Sequence, residues 1–267
     1  MPSVTPPDAP RPPARVRLAP GAPAAAHAEA AALVADLARD GRTVAGPNDA
    51  PPGGSHAVAT LGATPPTLAW VGPEAPPTPH PAVWRPPRAG RDPLVRAVRG
   101  RGAPPDRAID ATAGWGTDAL QLARAGVPVT MLERDPLLAW WLAAARAHAA
   151  ADPATAELAD RVRVVPGDAA AWLAARAGEL GDAVVYLDPM YPRAGERGAA
   201  KRAGAAFLRA WTGPPPDPAE GAALVAAARR VARRVVVKRP AKAPPIAPGA
   251  TGAVRGRTTR FDVYPPA

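Results

Sequence analysis

From Pro105 onward, short apolar runs rich in valine alternate with longer stretches whose apolar positions recur every three or four residues. The runs "AIDAT", "VTMLE", "VRVVPG", "AVVYLD", "RRVVVKR" and "RFDVY" have the length and β-branched content of strands. Between the early ones, "GTDALQLARAG", "PLLAWWLAAARAHAA" and "AAAWLAARAGEL" carry the helical period. Alternation of this kind predicts an α/β fold with a doubly wound, mostly parallel sheet. Upstream, "RVRLAP" reads as a strand and "AAAHAEAAALVADLARDG" as a helix closed by Gly41; "HAVATLG" and "TLAWVG" read as strands joined at "ATPP". The pattern divides the chain into a Pro-rich, disordered tail over 1–14, a small N-terminal α/β appendage over 15–85, a connecting segment over 86–104 and a main domain over 105–267. At roughly 70 residues the appendage is marginal by itself.

Composition sharpens this picture in three ways. Hydrophobic residues make up 47% and aromatics only 4%, so alanine, valine and leucine must fill the core. The 33 Lys and Arg against 23 Asp and Glu give a net charge of +10, which favours a polyanionic partner such as nucleic acid. A compositional bias towards alanine, arginine and proline explains part of that surplus, and a solvated basic surface accounts for the charge equally well. Cysteine is absent, which excludes disulfides, thiolate metal sites and a cysteine nucleophile. His27, His56, His80 and His148 are not spaced as metal ligands, so no metal is expected. The start, "PSVTPPDAPRPPAR", lacks the apolar core of a signal peptide, and "PLLAWWLAAA" is too short to cross a bilayer, so the expected location is the cytoplasm, with no membrane partner.

In a doubly wound sheet, ligands sit beyond the carboxyl ends of the strands, so candidate chemistry lies in the residues that end each strand. "GWGTDA" satisfies G-x-G-x-x-A, and Glu133 follows at the end of the next strand, where it can accept from ribose hydroxyls. Gly114 and Gly116 let the backbone approach a ligand closely. NAD would satisfy these features too. Asp110, ending the first strand, opposes a pyrophosphate but suits a ligand bearing an ammonium and a sulfonium, which favours S-adenosylmethionine. Asp168, ending the third strand, can accept from the exocyclic amine of adenine.

The fourth strand ends "VVYLDPMYP". An acid, a proline, any residue and an aromatic at this place suit methylation of a planar exocyclic amine. The lone pair of such an amine is delocalised into its ring, so it is a poor nucleophile. Asp188 and nearby backbone can accept the amine hydrogens, favour pyramidalisation and aim the lone pair at the methyl group. Pro189 keeps the turn rigid, and Tyr191 offers a ring on which a base can stack.

With "DATAGWGTDA", "MLERDP", "VVYLDPMYP", "VVVKRP" and "RFDVY" in order, residues 82–264 resemble the RsmJ-type small-subunit (16S) ribosomal RNA guanine-N2 methyltransferases. The resemblance implies the class I, Rossmann-like methyltransferase fold and methylation of one guanine of 16S ribosomal RNA, free or in the small subunit. It also implies cofactor contacts at Thr117, Asp118, Glu133, Arg134, Asp168, Ala169 and Asp188. Trp115 and Thr117 stand where that family usually has leucine and arginine, which leaves Thr117 its backbone N–H to offer.

Arg193, Arg197, Lys201 and Arg202 follow the catalytic turn and could grip RNA phosphates, as could Lys238 and Arg239 at the end of the fifth strand. A solvated helix face explains the first four nearly as well. Arg85, Arg88 and Arg91 could form a lid over the cofactor, whereas Trp140, Trp141 and Trp172 read as core. Three rivals remain at this level. An NAD-dependent oxidoreductase shares the glycine turn but leaves "DPMY" unexplained, and a non-catalytic RNA-binding module rests on charge alone. Methylation of adenine N6 in DNA or RNA would use the same turn.

Overall fold

The computed structural model describes residues 11–74, 78–85, 92–101, 105–190, 203–213 and 217–267, which fall into two compact units. The first is built on β1 (Ala14–Leu18), α1 (Ala24–Arg39), β2 (Val44–Ala45), β3 (His56–Leu61), β4 (Thr67–Val71) and β5 (His80–Pro81). Its sheet runs β2-β1-β3-β4-β5, with β1 parallel to both neighbours and the rest antiparallel. Ala26, Ala30, Leu33 and Leu37 are the buried face of α1, spaced as one stripe of a helix. The short β2 and β5 have no counterpart in the sequence reading, because two residues are too few to show a period.

The second unit comprises α2 (Pro93–Arg99), β6 (Ala108–Asp110), α3 (Thr117–Arg124), β7 (Val129–Glu133), α4 (Pro136–Ala151), α5 (Ala156–Asp160), β8 (Val162–Pro166), α6 (Ala169–Ala174) and β9 (Val184–Leu187). After α7 (Ala203–Thr212), which clusters with the first unit, it resumes with α8 (Pro218–Arg229), β10 (Arg234–Pro240), β11 (Gly252–Arg255) and β12 (Thr259–Tyr264). The sheet order is β11-β12-β10-β9-β6-β7-β8. The strands β10, β9, β6, β7 and β8 are parallel, and β12 pairs antiparallel with β10 and β11. This is the predicted doubly wound, mostly parallel sheet. It switches direction beside β6, so the ends of β6 and β9 flank the ligand crevice. Ile109, Val185, Leu187, Val235 and Val237 pack on one face with Leu173 and Val225 from α6 and α8.

Local chemistry fixes where the helices start. Asp92-Pro93, Asp135-Pro136 and Asp217-Pro218 each place an aspartate at the N-cap and a proline in the first turn of α2, α4 and α8. The carboxylate satisfies an orphan N–H, and proline lacks the N–H that would otherwise go unpaired. Asp188-Pro189 is the same dipeptide but follows a strand, so its carboxylate is not spent on a cap.

Helix α7 clusters with the first unit, whereas the sequence reading places it within 105–267. Apolar spacing explains it: α7 buries Ala206, Phe207 and Trp211. The Phe207 ring meets Trp70 edge-on at 6.1 Å and His80 at 5.7 Å, and the Arg42 guanidinium lies 3.5 Å above the Trp211 ring. Burial lowers the His80 pKa, so the ring stays neutral within this aromatic cluster. Trp211→Ala should cost about 3–5 kcal/mol, the usual loss for a buried aromatic ring. Urea unfolding followed by circular dichroism checks this, and an unchanged midpoint would remove α7 from that core.

Candidate functional site

The carboxyl ends of β6, β7, β8 and β9 carry Asp110, Glu133, Asp168 and Asp188, each at or just beyond the last residue of its strand. Between β6 and α3 the chain turns through Gly114 at φ 52° and Gly116 at φ 70°. Gly116 is required twice over. Its left-handed backbone strains any side chain, and a Cβ there would sit 2.9 Å from Met131 and 3.0 Å from Leu142. Trp115, between the two glycines, packs edge-on against Trp141 at 4.8 Å, which braces the turn on α4.

Glu133 ties that turn to the next strand. Its Oε2 accepts from the Gly114 N–H at 2.8 Å and its Oε1 from the Asp135 N–H at 2.9 Å. Each oxygen keeps a further lone pair for a ligand hydroxyl. Burial pushes the Glu133 pKa up to about 7, against the pull of these N–H donors. Asp110 is 1% exposed and accepts from the Thr112 N–H at 3.1 Å. Burial pushes it up to about 8, and the charges of Asp118, Asp188 and Glu133 add to the shift. A buried carboxylate in this state suits a cationic ligand, so the donor set fits the ammonium and sulfonium of S-adenosylmethionine.

Asp168 is exposed; its Oδ1 caps α6 by accepting from the Ala171 N–H at 2.9 Å, and Ala169 is buried behind it in the first turn. Thr117 is exposed at the first position of α3. Arg134 is exposed, 3.9 Å from Glu220. Asp118, at the second position of α3, accepts through Oδ2 from the Tyr186 hydroxyl at 2.5 Å and from the Lys238 ammonium at 2.7 Å. Burial and the charges of Asp188, Asp118 and Asp110 hold the Tyr186 phenol well above its usual pKa, so it remains a donor.

At the end of β9, the Asp188 N–H donates to Thr112 Oγ1 at 2.7 Å, and Asp188 Oδ2 accepts from Lys238 at 2.8 Å. The Asp188 side chain keeps 37% of its surface exposed. A cavity of about 310 Å³ opens beside the turn, with Pro189, Met190, Asp217, Gly221, Arg239 and Ile246 among its walls.

Lys238 and Arg239, expected at RNA phosphates, both have partners within the fold. The Lys238 ammonium is taken up by two carboxylates. Arg239 is 7% exposed, and its Nε donates to the Pro244 carbonyl at 2.9 Å. Tyr191, Arg193, Arg197, Lys201 and Arg202 lie outside the described residues, as do Arg88 and Arg91, and Arg85 is exposed. Trp141 is buried and Trp172 packs against the core. Sequence reasoning missed Thr112 and Tyr186. Tyr186 was open to detection, since it stands two residues before Asp188 and so faces the same side of the sheet.

Comparison with known proteins gives a consistent result. The family described as "Putative SAM-dependent methyltransferase" matches residues 85–266. Ribosomal RNA small subunit methyltransferase J of Halorhodospira halophila is 44% identical over 175 residues, 65% of this chain and 65% of that protein. The protein of the same name from Laribacter hongkongensis is 43% identical over 177 residues, 65% of this chain and 61% of its own length. The match thus spans somewhat less than two thirds of these two relatives. A crystal structure of a SAM-dependent methyltransferase from Neisseria gonorrhoeae superposes with a TM-score of 0.65 at 25% identity, covering 94% of this chain and 96% of that one.

Glu133→Ala should weaken S-adenosylmethionine binding by about 1–3 kcal/mol, because it strands polar partners of a buried carboxylate. Titration calorimetry measures this, and unchanged affinity would remove Glu133 from the ribose site.

Proposed function

Because the chain belongs to the SAM-dependent methyltransferase family, we propose that it methylates the exocyclic N2 amine of a guanine in 16S ribosomal RNA. The observation that carries this reading is the placement of Asp188. It ends the strand next to the glycine-turn strand, beside Asp110 and Asp118, with its carboxylate accessible and a cavity at its turn. The names of the relatives supply the RNA and, through their family, the guanine. The net charge of +10 is consistent with a polyanionic substrate. The oxidoreductase reading does not fit the family match, nor a buried acid where a pyrophosphate would lie.

Bound S-adenosylmethionine supplies an electrophilic methyl group on a sulfonium. The residues of this chain hold and orient the two reactants. Asp110 faces the cationic methionine end, Glu133 accepts from the ribose, and Asp168 keeps its Oδ2 for the adenine amine while Oδ1 caps α6. The first turn of α3, beginning at Thr117 beyond the glycine turn, offers backbone N–H groups that helix geometry leaves without intrahelical acceptors. Asp188 accepts hydrogens of the target amine, which localises its lone pair, and takes up the proton the amine sheds after transfer. Pro189 fixes the carboxylate's backbone. The cavity of about 310 Å³ walled by Pro189, Met190 and Ile246 opens beside this turn and is where we place the flipped base.

Asp188→Ala should lower the single-turnover rate on the order of 100-fold or more while the protein stays folded. The assay uses ribosomal RNA from cells lacking this enzyme, with nucleoside analysis for N2-methylguanosine. A fully active Asp188→Ala variant would sink the mechanism. Transfer yielding only N6-methyladenosine would overturn the guanine assignment and leave the mechanism standing.

A further inference from the structure

We propose that Lys238 is a positioning residue for methyl transfer: its ammonium bridges Asp118 and Asp188 and holds the Asp188 carboxylate ionised and aimed at the acceptor amine. This inference rests on the reading of Asp188 given above.

Three independent features lead to it. The first is register. Strand β10 lies parallel to β9 with Val236 opposite Tyr186 and Val237 opposite Leu187, so Lys238 falls beside Asp188. Alternation puts Tyr186, Asp188, Val236 and Lys238 on one face of the sheet, the face covered by α3. The second is distance. Lys238 Nζ lies 2.8 Å from Asp188 Oδ2 and 2.7 Å from Asp118 Oδ2, both within charge-assisted hydrogen-bond range. Tyr186 donates to the same Asp118 oxygen, so the Asp118 end of the bridge is itself fixed. Asp118, Lys238 and Asp188 thus form a strut from α3 through β10 to β9.

The third feature is charge. The charges that act on Lys238 are Asp118 on α3 and Asp188 at β9; these two and Glu133 on β7 also act on the buried Asp110 on β6, Tyr186 on β9 bonds Asp118, and Asp262 on β12 is held by Arg260. Without the lysine, several carboxylates would share one poorly solvated edge, and like charges at such range drive one or more of them to protonate. A protonated Asp188 would present an O–H to an amine whose own hydrogens need acceptors, so the hydrogen bond that readies the amine would be lost. Burial pulls the Lys238 ammonium towards neutrality, but Asp188 and Asp118 outweigh it and hold its pKa above the usual value. The bridge therefore stays charged across the whole pH range in which a methyltransferase works. At 25% exposure and with two carboxylates this close, the ammonium is engaged inside the site rather than presented to RNA.

The test compares Lys238→Met and Lys238→Arg with the parent in the full chain. Lys238→Met should lower the single-turnover rate tenfold or more near neutral pH, on the order of the loss of one preorganised contact. It should also move the acid limb of the pH–rate profile, and the titration of the Asp188 carboxyl followed by carbon-13 NMR, upward by about 1–3 pH units. Lys238→Arg keeps the charge and should return both midpoints towards the parent. An Asp188 titration unmoved by Lys238→Met would overturn the proposal, as would equal rate losses in both variants with no shift in pH profile, the mark of a merely structural lysine. Failure of the parent to form N2-methylguanosine would sink the guanine reading instead, because the carboxyl titration needs no RNA and still decides whether Lys238 governs Asp188.

Discussion

Crowding of buried and half-buried carboxyl groups at one edge of the seven-stranded sheet is the constraint on which the site depends. Asp118, Glu133 and Asp188 all act on Asp110 there, and burial pushes Asp110 up to about 8 and Glu133 up to about 7. Desolvating carboxylates is unfavourable unless they are paired or hydrogen-bonded. The fold answers with backbone N–H groups at Thr112, Gly114 and Asp135, with the Tyr186 hydroxyl, and with the Lys238 ammonium. Asp110 and Glu133 accept from the backbone alone among the hydrogen bonds described, a remainder that suits a cationic ligand.

The same constraint orders the local structure. Glycines at 114 and 116 let the turn come close enough for the Gly114 N–H to reach Glu133. Thr112 bonds the backbone of Asp188, so the loops after β6 and β9 share one anchor. Lys238 joins the end of β10 to α3 and β9. The crevice at these strand ends is therefore held by cross-links between strands, and on the function proposed above its geometry comes from the same interactions that make the buried acids tolerable. Beyond Asp188 and Pro189, the chain contributes α7 to the first unit before returning at α8, so that unit is discontinuous in sequence.

Much of this was legible in the sequence because it rests on local pattern. Strand–helix alternation, valine-rich runs and the acids at strand ends gave the parallel sheet and its functional edge. Asp110, Glu133 and Asp188 stand where that reading puts them. The antiparallel β11 escaped notice because "GAVR" is exposed and short, with no apolar face to mark it. The partnership of α7 with β4 and β5 was illegible because it depends on contacts between residues more than a hundred positions apart. The partners of Lys238 were illegible for a similar reason. A lysine at a strand end suggests a phosphate contact, and only the β9–β10 register reveals two carboxylates already around it.

The central claim is that this acidic edge is completed by a cation, and a proton inventory tests it most directly. Asp110 and Glu133 are partly protonated near neutral pH in the empty site, and a cationic ligand stabilises their ionised forms and lowers both pKa values. Binding of S-adenosylmethionine at pH 7.5 should therefore release protons, and its affinity should rise as pH increases from about 6 to 8. Calorimetry in two buffers of different ionisation enthalpy counts those protons. Net release that shrinks in Asp110→Asn is the predicted result; binding with no proton exchange, or with net uptake, would contradict the account.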